Sequence, residues 1–194
     1  MNFKSIPNKF EYLPWPEVGN IAKDVRSTII WPFGAIEQHG PHLPLATDSI
    51  FVDEIISEVF KLFPSDIPLK KLPTQYMGFS PEHKAFDGTI SLSSNLLISM
   101  IKEVGVQLSS MGFKRLILIN SHGGQISLLN TAARELRSFA PKLSIFPCFL
   151  WSGVEGLNDL LPKKEIENGL HASLAETSLM LALKPELVGN ERPH

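Results

Sequence analysis

Short apolar runs alternating with long amphipathic stretches constrain this chain more than any other feature. "STIIWPFG" (27–34) and "KRLILIN" (114–120) have continuous apolar middles, the pattern of strands buried on both faces of a sheet. "KLSIFPCFLW" (142–151) is a third candidate strand. Pro32 is expected to mark the end of the first. "DSIFVDEIISEVFKLF" (48–63) places Ile55, Ile56, Val59, Phe60 and Phe63 at helical spacing, with Asp48 or Ser49 positioned as its cap. "SSNLLISMIKEVGVQLSSMG" (93–112) predicts a second helix, capped by Ser93 or Ser94 and ended by Gly112. Residues 125–140 predict a third, stopped by Pro141, and "HASLAETSLMLALKP" (171–185) a last one, ended by Pro185. Strands joined through helices of this length need crossover connections, so an α/β fold with a mainly parallel central sheet covered on both faces is expected. No repeat or linker-like stretch divides the chain, and residues 1–194 are expected to form one domain.

Composition removes several function classes. A net charge of −2 gives no electrostatic reason to bind nucleic acid or an anionic membrane. The lone Cys148 excludes a disulfide framework within the chain and suits a reducing compartment. Its apolar strand setting predicts an inert, buried thiol. The opening "MNFKSIPNKFEYL" carries no apolar run of the kind a signal peptide needs, and no stretch is long enough to span a bilayer. A cytoplasmic protein is expected.

In parallel α/β sheets, ligands sit beyond the carboxyl ends of the strands. Two His-bearing loops leave the sheet there: "IEQHGPHLPLATDS" (36–49) after the first strand and "NSHGGQ" (120–125) after the second. Glu37 and His39 are two apart and share a side if the backbone is extended. Pro41 and Pro44 then restrict the path past His42 to Asp48. Imidazole nitrogen with carboxylate oxygen favours zinc, manganese or iron over calcium or magnesium, and a carboxylate can bridge two ions. In the second loop, Gly123 and Gly124 allow backbone to approach a ligand beside His122. His171 and Glu176 straddle the start of the last helix and can reach the same rim. Taken singly, each residue has an ordinary reading: Asp48 as a cap, the glycine pair as a turn, Glu176 as solvated, His42 and His83 as loop residues. Their coincidence at strand ends favours a metal site. No G-x-S-x-G elbow, phosphate-binding glycine loop or H-E-x-x-H is present, which leaves metal-assisted hydrolysis as the surviving chemistry.

"GAIEQHGPHLPLATD" (34–48) closely resembles the signature of the creatininase family of metal hydrolases. "GFSPEHKAFDGTISL" (78–92), "GFKRLILINSHGGQ" (112–125) and "HASLAETSLMLALKPELV" (171–188) look like that family's next three blocks, in order. The resemblance implies a three-layer α/β/α fold assembled as a homohexamer. It implies one or two divalent ions per subunit, zinc first with manganese or iron as alternatives. The reaction implied is hydrolysis of a non-peptide C–N bond in a small-molecule amide, often cyclic. Glu37, His39, Asp48 and His122 fall on metal-ligand positions, with Asp48 on the bridging one. His171 falls on a proton-transfer position, and Glu176 on an acidic position beside the metals, where it serves as both ligand and catalytic group. His42, Glu82, His83, Gly123 and Gly124 are assigned to the substrate pocket. Alternatives within the same superfamily are a formamide deformylase, a small peptidase or a shortened, non-catalytic member.

Three departures stand out. Creatininases carry a ligand Glu two residues after the second-block His, where this chain has Gly124; Glu176 is expected to supply the missing oxygen. They also close a Trp-bearing loop over substrate, but "LPKKEIENG" (161–169) has no Trp, leaving Trp151 as a rough candidate. Family members generally continue well beyond the place of Pro185, so a shortened C-terminal part is expected.

Overall fold

The computed structural model describes residues 8–64 and 66–191; residues 1–7, 65 and 192–194, His194 among them, lie outside that range. Four parallel strands, β1 (Thr28–Phe33), β2 (Leu69–Lys71), β3 (Arg115–Asn120) and β4 (Ser144–Phe149), form one sheet in the order β2-β1-β3-β4. All six residues of β1 are buried, as its unbroken apolar run predicts for a central strand. Thr28 pairs with Arg115 and Phe33 with Asn120, so β1 and β3 end level and their following loops leave one rim side by side.

Helices cover both faces. On one, α1 (Trp15–Ala22), α3 (Ser94–Met111) and α4 (Ile126–Phe139) pack on Ile29, Trp31 and Phe33 of β1, Leu116 and Leu118 of β3, and Ile145 of β4. On the other, α2 (Thr47–Leu62) packs Val52 and Ile56 against Ile30 and Leu69. Beside it, α7 (Leu174–Leu183) buries Met180 against Phe51 and Leu43. Each such fully buried side chain contributes about 1.5–3 kcal/mol. Two short helices, α5 (Leu157–Leu160) and α6 (Lys163–Asn168), lie between β4 and α7. The chain reverses direction along the sheet between β1 and β3, which makes their carboxyl ends the crevice of this doubly wound architecture. Among the described residues no helix is long and apolar enough to cross a membrane.

Several local expectations hold and some do not. Ser93 caps α3, its hydroxyl accepting from Leu96 N at 3.3 Å, and Gly112 ends it in the left-handed conformation. Neither Asp48 nor Ser49 caps α2. The helix begins at Thr47 with Ala46 as its cap, which puts both residues inside the first turn, where Ser49 donates to Ala35 O and Asp48 faces the rim. Pro32 does not end β1. Its carbonyl accepts from Gln75 N, on the side where the β2 ladder has stopped at Lys71, so its missing N–H breaks no pairing. Cys148 is not buried: β4 is an edge strand that turns Ile145 into the core and leaves Phe146 and Cys148 exposed.

Candidate metal centre

The rim is built by loops that close on themselves. Gly34 follows β1 because α2 starts hard against it; a Cβ there would meet Ser49 Oγ at 2.2 Å and Ser49 Cα at 2.6 Å. Glu37 N donates to Leu45 O at 3.0 Å and His39 pairs with Leu43, so the loop carrying Pro41 and Pro44 is a tight excursion. Glu37 and His39 come off its extended limb on one side. The loop delivers Asp48 to the first turn of α2, where free N–H groups favour a carboxylate. After β3, Asn120 Oδ1 accepts from His122 N (3.0 Å) and Gln125 Nε2 (2.9 Å), while Ser121 Oγ donates to Asp48 O (2.7 Å). These bonds lock the second loop to the first. Before α7, Ala172 takes φ 50, uncommon outside glycine, and its N–H donates to Glu176 Oε2 at 2.5 Å.

Glu37, His39, Asp48 and His122 are 0, 1, 2 and 4% exposed. His122 Nδ1 lies 3.1 Å from Glu37 Oε1 and 3.2 Å from Asp48 Oδ2, and the other Asp48 oxygen lies 3.7 Å from His39 Nε2. The two oxygens of Asp48 therefore face two different sets of partners. On the second side, ligand atoms of His39, His171 and Glu176 lie within 4.8 Å of one another, as do those of Glu37, His39 and Asp48, and those of Glu37, His83 and His171. The His171 ring sits 4.4 Å from that of His39 and is stacked on His83, also at 4.4 Å.

Electrostatics favour a cation here. Burial pulls the His122 pKa down, but the carboxylates of Asp48 and Glu37 outweigh it and raise it to about 10. For His39, burial is likewise outweighed by Asp48, with Glu176 adding, and its pKa rises. Burial pushes Asp48 up, yet His122 and His39 hold it below the ordinary carboxylate value. Glu176 rises, chiefly through burial. Burial lowers His83, opposed by Glu37 and aided by His171. Both Glu37 carboxylate oxygens, Asp48 Oδ2 and His39 Nε2 are buried with no hydrogen-bond partner, although His122 Nδ1 stands close by. Buried carboxylate oxygens that no donor satisfies are costly unless a cation neutralises them. The donor set of imidazole and carboxylate fits one or two first-row divalent ions.

The residues singled out in the sequence thus converge at one rim, with differences in placement. His42 is buried, its Nε2 2.8 Å from Thr177 Oγ1, and its carbonyl accepts from Gly189 N, so it ties the loop to α7 and the chain beyond. Glu82, in the 3₁₀ turn Pro81–His83, lies at the mouth with Oε1 3.7 Å from His122 Nε2. A Cβ on Gly124 would meet that oxygen at 2.1 Å and His122 Nε2 at 2.6 Å, so the Gly excludes any side chain from the place of the ligand Glu. Gly123 borders open space. Trp151 is partly buried and packs edge-on against Phe51 at 5.9 Å, beside the core cluster of Leu43 and Met180. Residue spacing gave no sign of Gln38, Ser80, Asn120, Ser121 and Gln125, whose hydrogen bonds fix the loops. The only available signal was their polar type beside strand ends.

Residues 11–194 match the family model described as Creatininase, creatinine amidohydrolase. The chain is 32% identical over 171 residues to the mycofactocin precursor peptide peptidase of Mycobacterium tuberculosis, covering 85% of this chain and 62% of that protein. It is 27% identical over 197 residues to the creatinine amidohydrolase of Pseudomonas putida, covering 93% of this chain and 73% of that protein. The present chain thus spans about three fifths of the length of the mycobacterial relative. A solved mutant creatininase of Zn-Zn type superposes with a TM-score of 0.76 at 26% identity, over 95% of this chain and 75% of that one.

Proposed function

Because this chain belongs to the creatininase family, we propose that it is a metal-dependent hydrolase of an amide C–N bond other than a peptide bond, in a small molecule. One observation carries the reading: three buried carboxylate oxygens, both of Glu37 and one of Asp48, that no hydrogen bond satisfies, framed by two buried imidazoles. Glu37, His39, Asp48, His122 and Glu176 would hold one or two divalent ions. Zinc is the first choice, with manganese or iron as alternatives, and the Zn-Zn type of the similar creatininase supports it. When bound, such ions supply Lewis acidity and lower the pKa of water toward neutrality. The chain's own residues do the rest. His171, at the rim beside Glu37, takes a proton and passes it to the leaving nitrogen, a role suited to imidazole. The N–H groups at the start of the turn Gly123–Gln125 would stabilise negative charge developing on the carbonyl oxygen. Glu82 and His83 form the pocket wall.

Elemental analysis after expression with zinc or manganese tests this directly: at least one ion per chain is expected, and less than one would sink the reading. A panel of creatinine, hydantoin-like rings and formamides then defines the bond, with His171→Ala expected to abolish turnover while keeping its metal. A second reading, cleavage of a short peptide, is supported by the 32% identity to the mycofactocin precursor peptide peptidase. Short peptides therefore belong in the panel.

The assembly is part of the same proposal. Trp15, Leu62, Leu160 and Leu170 are 82–94% exposed, apolar surface that a homo-oligomer, a hexamer by family resemblance, would cover. Sedimentation analysis measures it. A cytoplasmic location, suited to the lone Cys148, completes the reading, and the net charge of −2 supports no nucleic acid or membrane as partner.

A further inference from the structure

Gln38 lies inside the Glu37-to-His39 motif, half-buried, and touches both of the stacked rim histidines, His83 through its side chain and His171 through its carbonyl. Its contacts are unusually decisive. Gly40 N donates to Gln38 Oε1 at 2.9 Å, and a backbone N–H can only donate. That bond settles which end of the amide is oxygen, so the NH₂ group is the end that meets His83 Nδ1, at 3.0 Å. An NH₂ can only donate, so His83 Nδ1 must accept. In the neutral ring the proton then sits on Nε2, which points toward Glu37 Oε1 at 3.8 Å. The backbone carbonyl of the same residue lies 2.6 Å from His171 Nε2. A carbonyl can only accept, so Nε2 of His171 carries the proton. Its Nδ1 is left as a lone pair, 3.9 Å from the same Glu37 oxygen. Gln38 N in turn donates to Thr89 Oγ1 at 3.2 Å, which anchors the residue to the neighbouring loop.

We infer that Gln38 is a positioning residue that gives the two stacked histidines opposite roles, His83 presenting an N–H to the site and His171 a bare nitrogen. The side chain sets one tautomer and the main chain the other, so a single residue holds a donor and an acceptor against one carboxylate. The chemical consequence rests on the hydrolase reading above. Water gives one proton to His171 Nδ1 as its oxygen bonds to the amide carbonyl carbon. The C–N bond then breaks as that proton is returned to the departing nitrogen, leaving a carboxyl group and an amine. His83 Nε2–H meanwhile donates to the substrate and cannot compete for the water's proton. Two interchangeable rings at this distance would not make that division.

The test reads tautomers and needs no turnover. The full chain, labelled with ¹⁵N-histidine, is examined by long-range ¹H–¹⁵N correlation at mildly alkaline pH, with each ring assigned by the cross-peaks lost in His83→Gln and His171→Gln. Both rings are expected in the Nε2–H form in the unaltered chain. Gln38→Glu replaces the donor with an acceptor, so the His83 proton should move to Nδ1 while His171, held by the backbone, keeps Nε2–H. Gln38→Met removes the donor without adding charge beside Glu37 and serves if the first variant does not fold. There the His83 Nδ1 signal should move toward that of an unbonded imidazole nitrogen, with His171 unchanged. Nδ1–H on either ring of the unaltered chain, an unmoved His83 in the folded variants, or both rings shifting together would overturn the assignment. A chain that shows these tautomers but takes up no metal would leave Gln38 in its role and remove the hydrolase instead.

Discussion

Adjacent glycines at 123 and 124 are predicted to respond to the same substitution with opposite signs. A Cβ on Gly123 would have nothing within 4 Å, whereas one on Gly124 would lie 2.1 Å from Glu82 Oε1, 2.6 Å from His122 Nε2 and 3.0 Å from His122 Cε1. Neither backbone is in the left-handed region, so alanine costs no conformational strain at either place. At Gly123 only the unfolded-state term remains, and Gly123→Ala should stabilise by about 0.4–1 kcal/mol. At Gly124 the collision with Glu82 is cheap, because that side chain is 44% exposed and can swing out. The collision with His122 is not. Its Nε2 is held by Phe79 O at 3.1 Å and Ser80 Oγ at 3.3 Å, and its Nδ1 faces Glu37 and Asp48. Overpacking of such a ring costs about 1–3 kcal/mol. Less the unfolded-state gain, Gly124→Ala should destabilise by about 1–2 kcal/mol. Urea unfolding of both chains after chelation gives the two numbers, and elemental analysis shows whether displaced His122 still holds metal. The double variant Glu82→Ala with Gly124→Ala removes the cheap contact only and should stay destabilised. Equal stability of the two single variants, or full recovery in the double, would refute the assignment of the cost to His122.

Chelation should lower the melting temperature, and zinc or manganese at a hundredfold excess over its dissociation constant should restore about 2.7 kcal/mol. Against burial, Asp48 and Glu37 raise the His122 pKa to about 10, so metal uptake at neutral pH should release protons, measurable with an indicator dye; uptake without release would show that His122 is already neutral in the metal-free chain. Asp53 bonds Lys71 Nζ (2.8 Å), Thr74 Oγ1 (2.5 Å) and Tyr76 OH (2.8 Å), which outweigh burial and lower its pKa. Its contribution is therefore full above the ordinary carboxylate pKa of about 3.9 and is lost as pH falls through the folded value. Asp53→Asn should cost about 1–2 kcal/mol at neutral pH, a gap from the unaltered chain that closes in strong acid when urea midpoints are followed against pH. Ser93→Ala should cost about 1 kcal/mol in the same assay through loss of the α3 cap.

The layout of the sheet was legible because burial on two faces leaves a mark in composition. β1 and β3 are continuous apolar runs, and α2, α3 and α4 carry one apolar stripe each, so strand order aside, the core could be drawn from spacing. The elements that escaped are those whose stability comes from neighbours. β2 is three residues, Leu69–Lys71, two of them lysines, and exists as a strand only because β1 supplies its partner. Cys148 misled for a related reason. "SIFPCF" has the same apolar density as β3, but at an edge only one face is covered, and density alone does not say which strand is the edge.

The site divides along similar lines. That Glu37, His39, Asp48 and His122 meet at one rim was legible because two loops bearing them leave adjacent strand ends. Nothing in spacing alone separates Asp48 the cap from Asp48 the rim carboxylate. That choice was made by the helix starting at Thr47, two residues earlier than a cap at Asp48 would allow, which places Asp48 inside the first turn. Gly124 was legible as a departure but not as a requirement, since its meaning depends on where the His122 ring lies in space. Gln38 is the limiting case. Its importance lies in hydrogen-bond direction, in which Gly40 N–H orients the amide, the amide orients His83, and the Gln38 carbonyl orients His171. Residue identity therefore located the buried charges at this rim, while the direction in which protons can move across it was settled only by folded geometry.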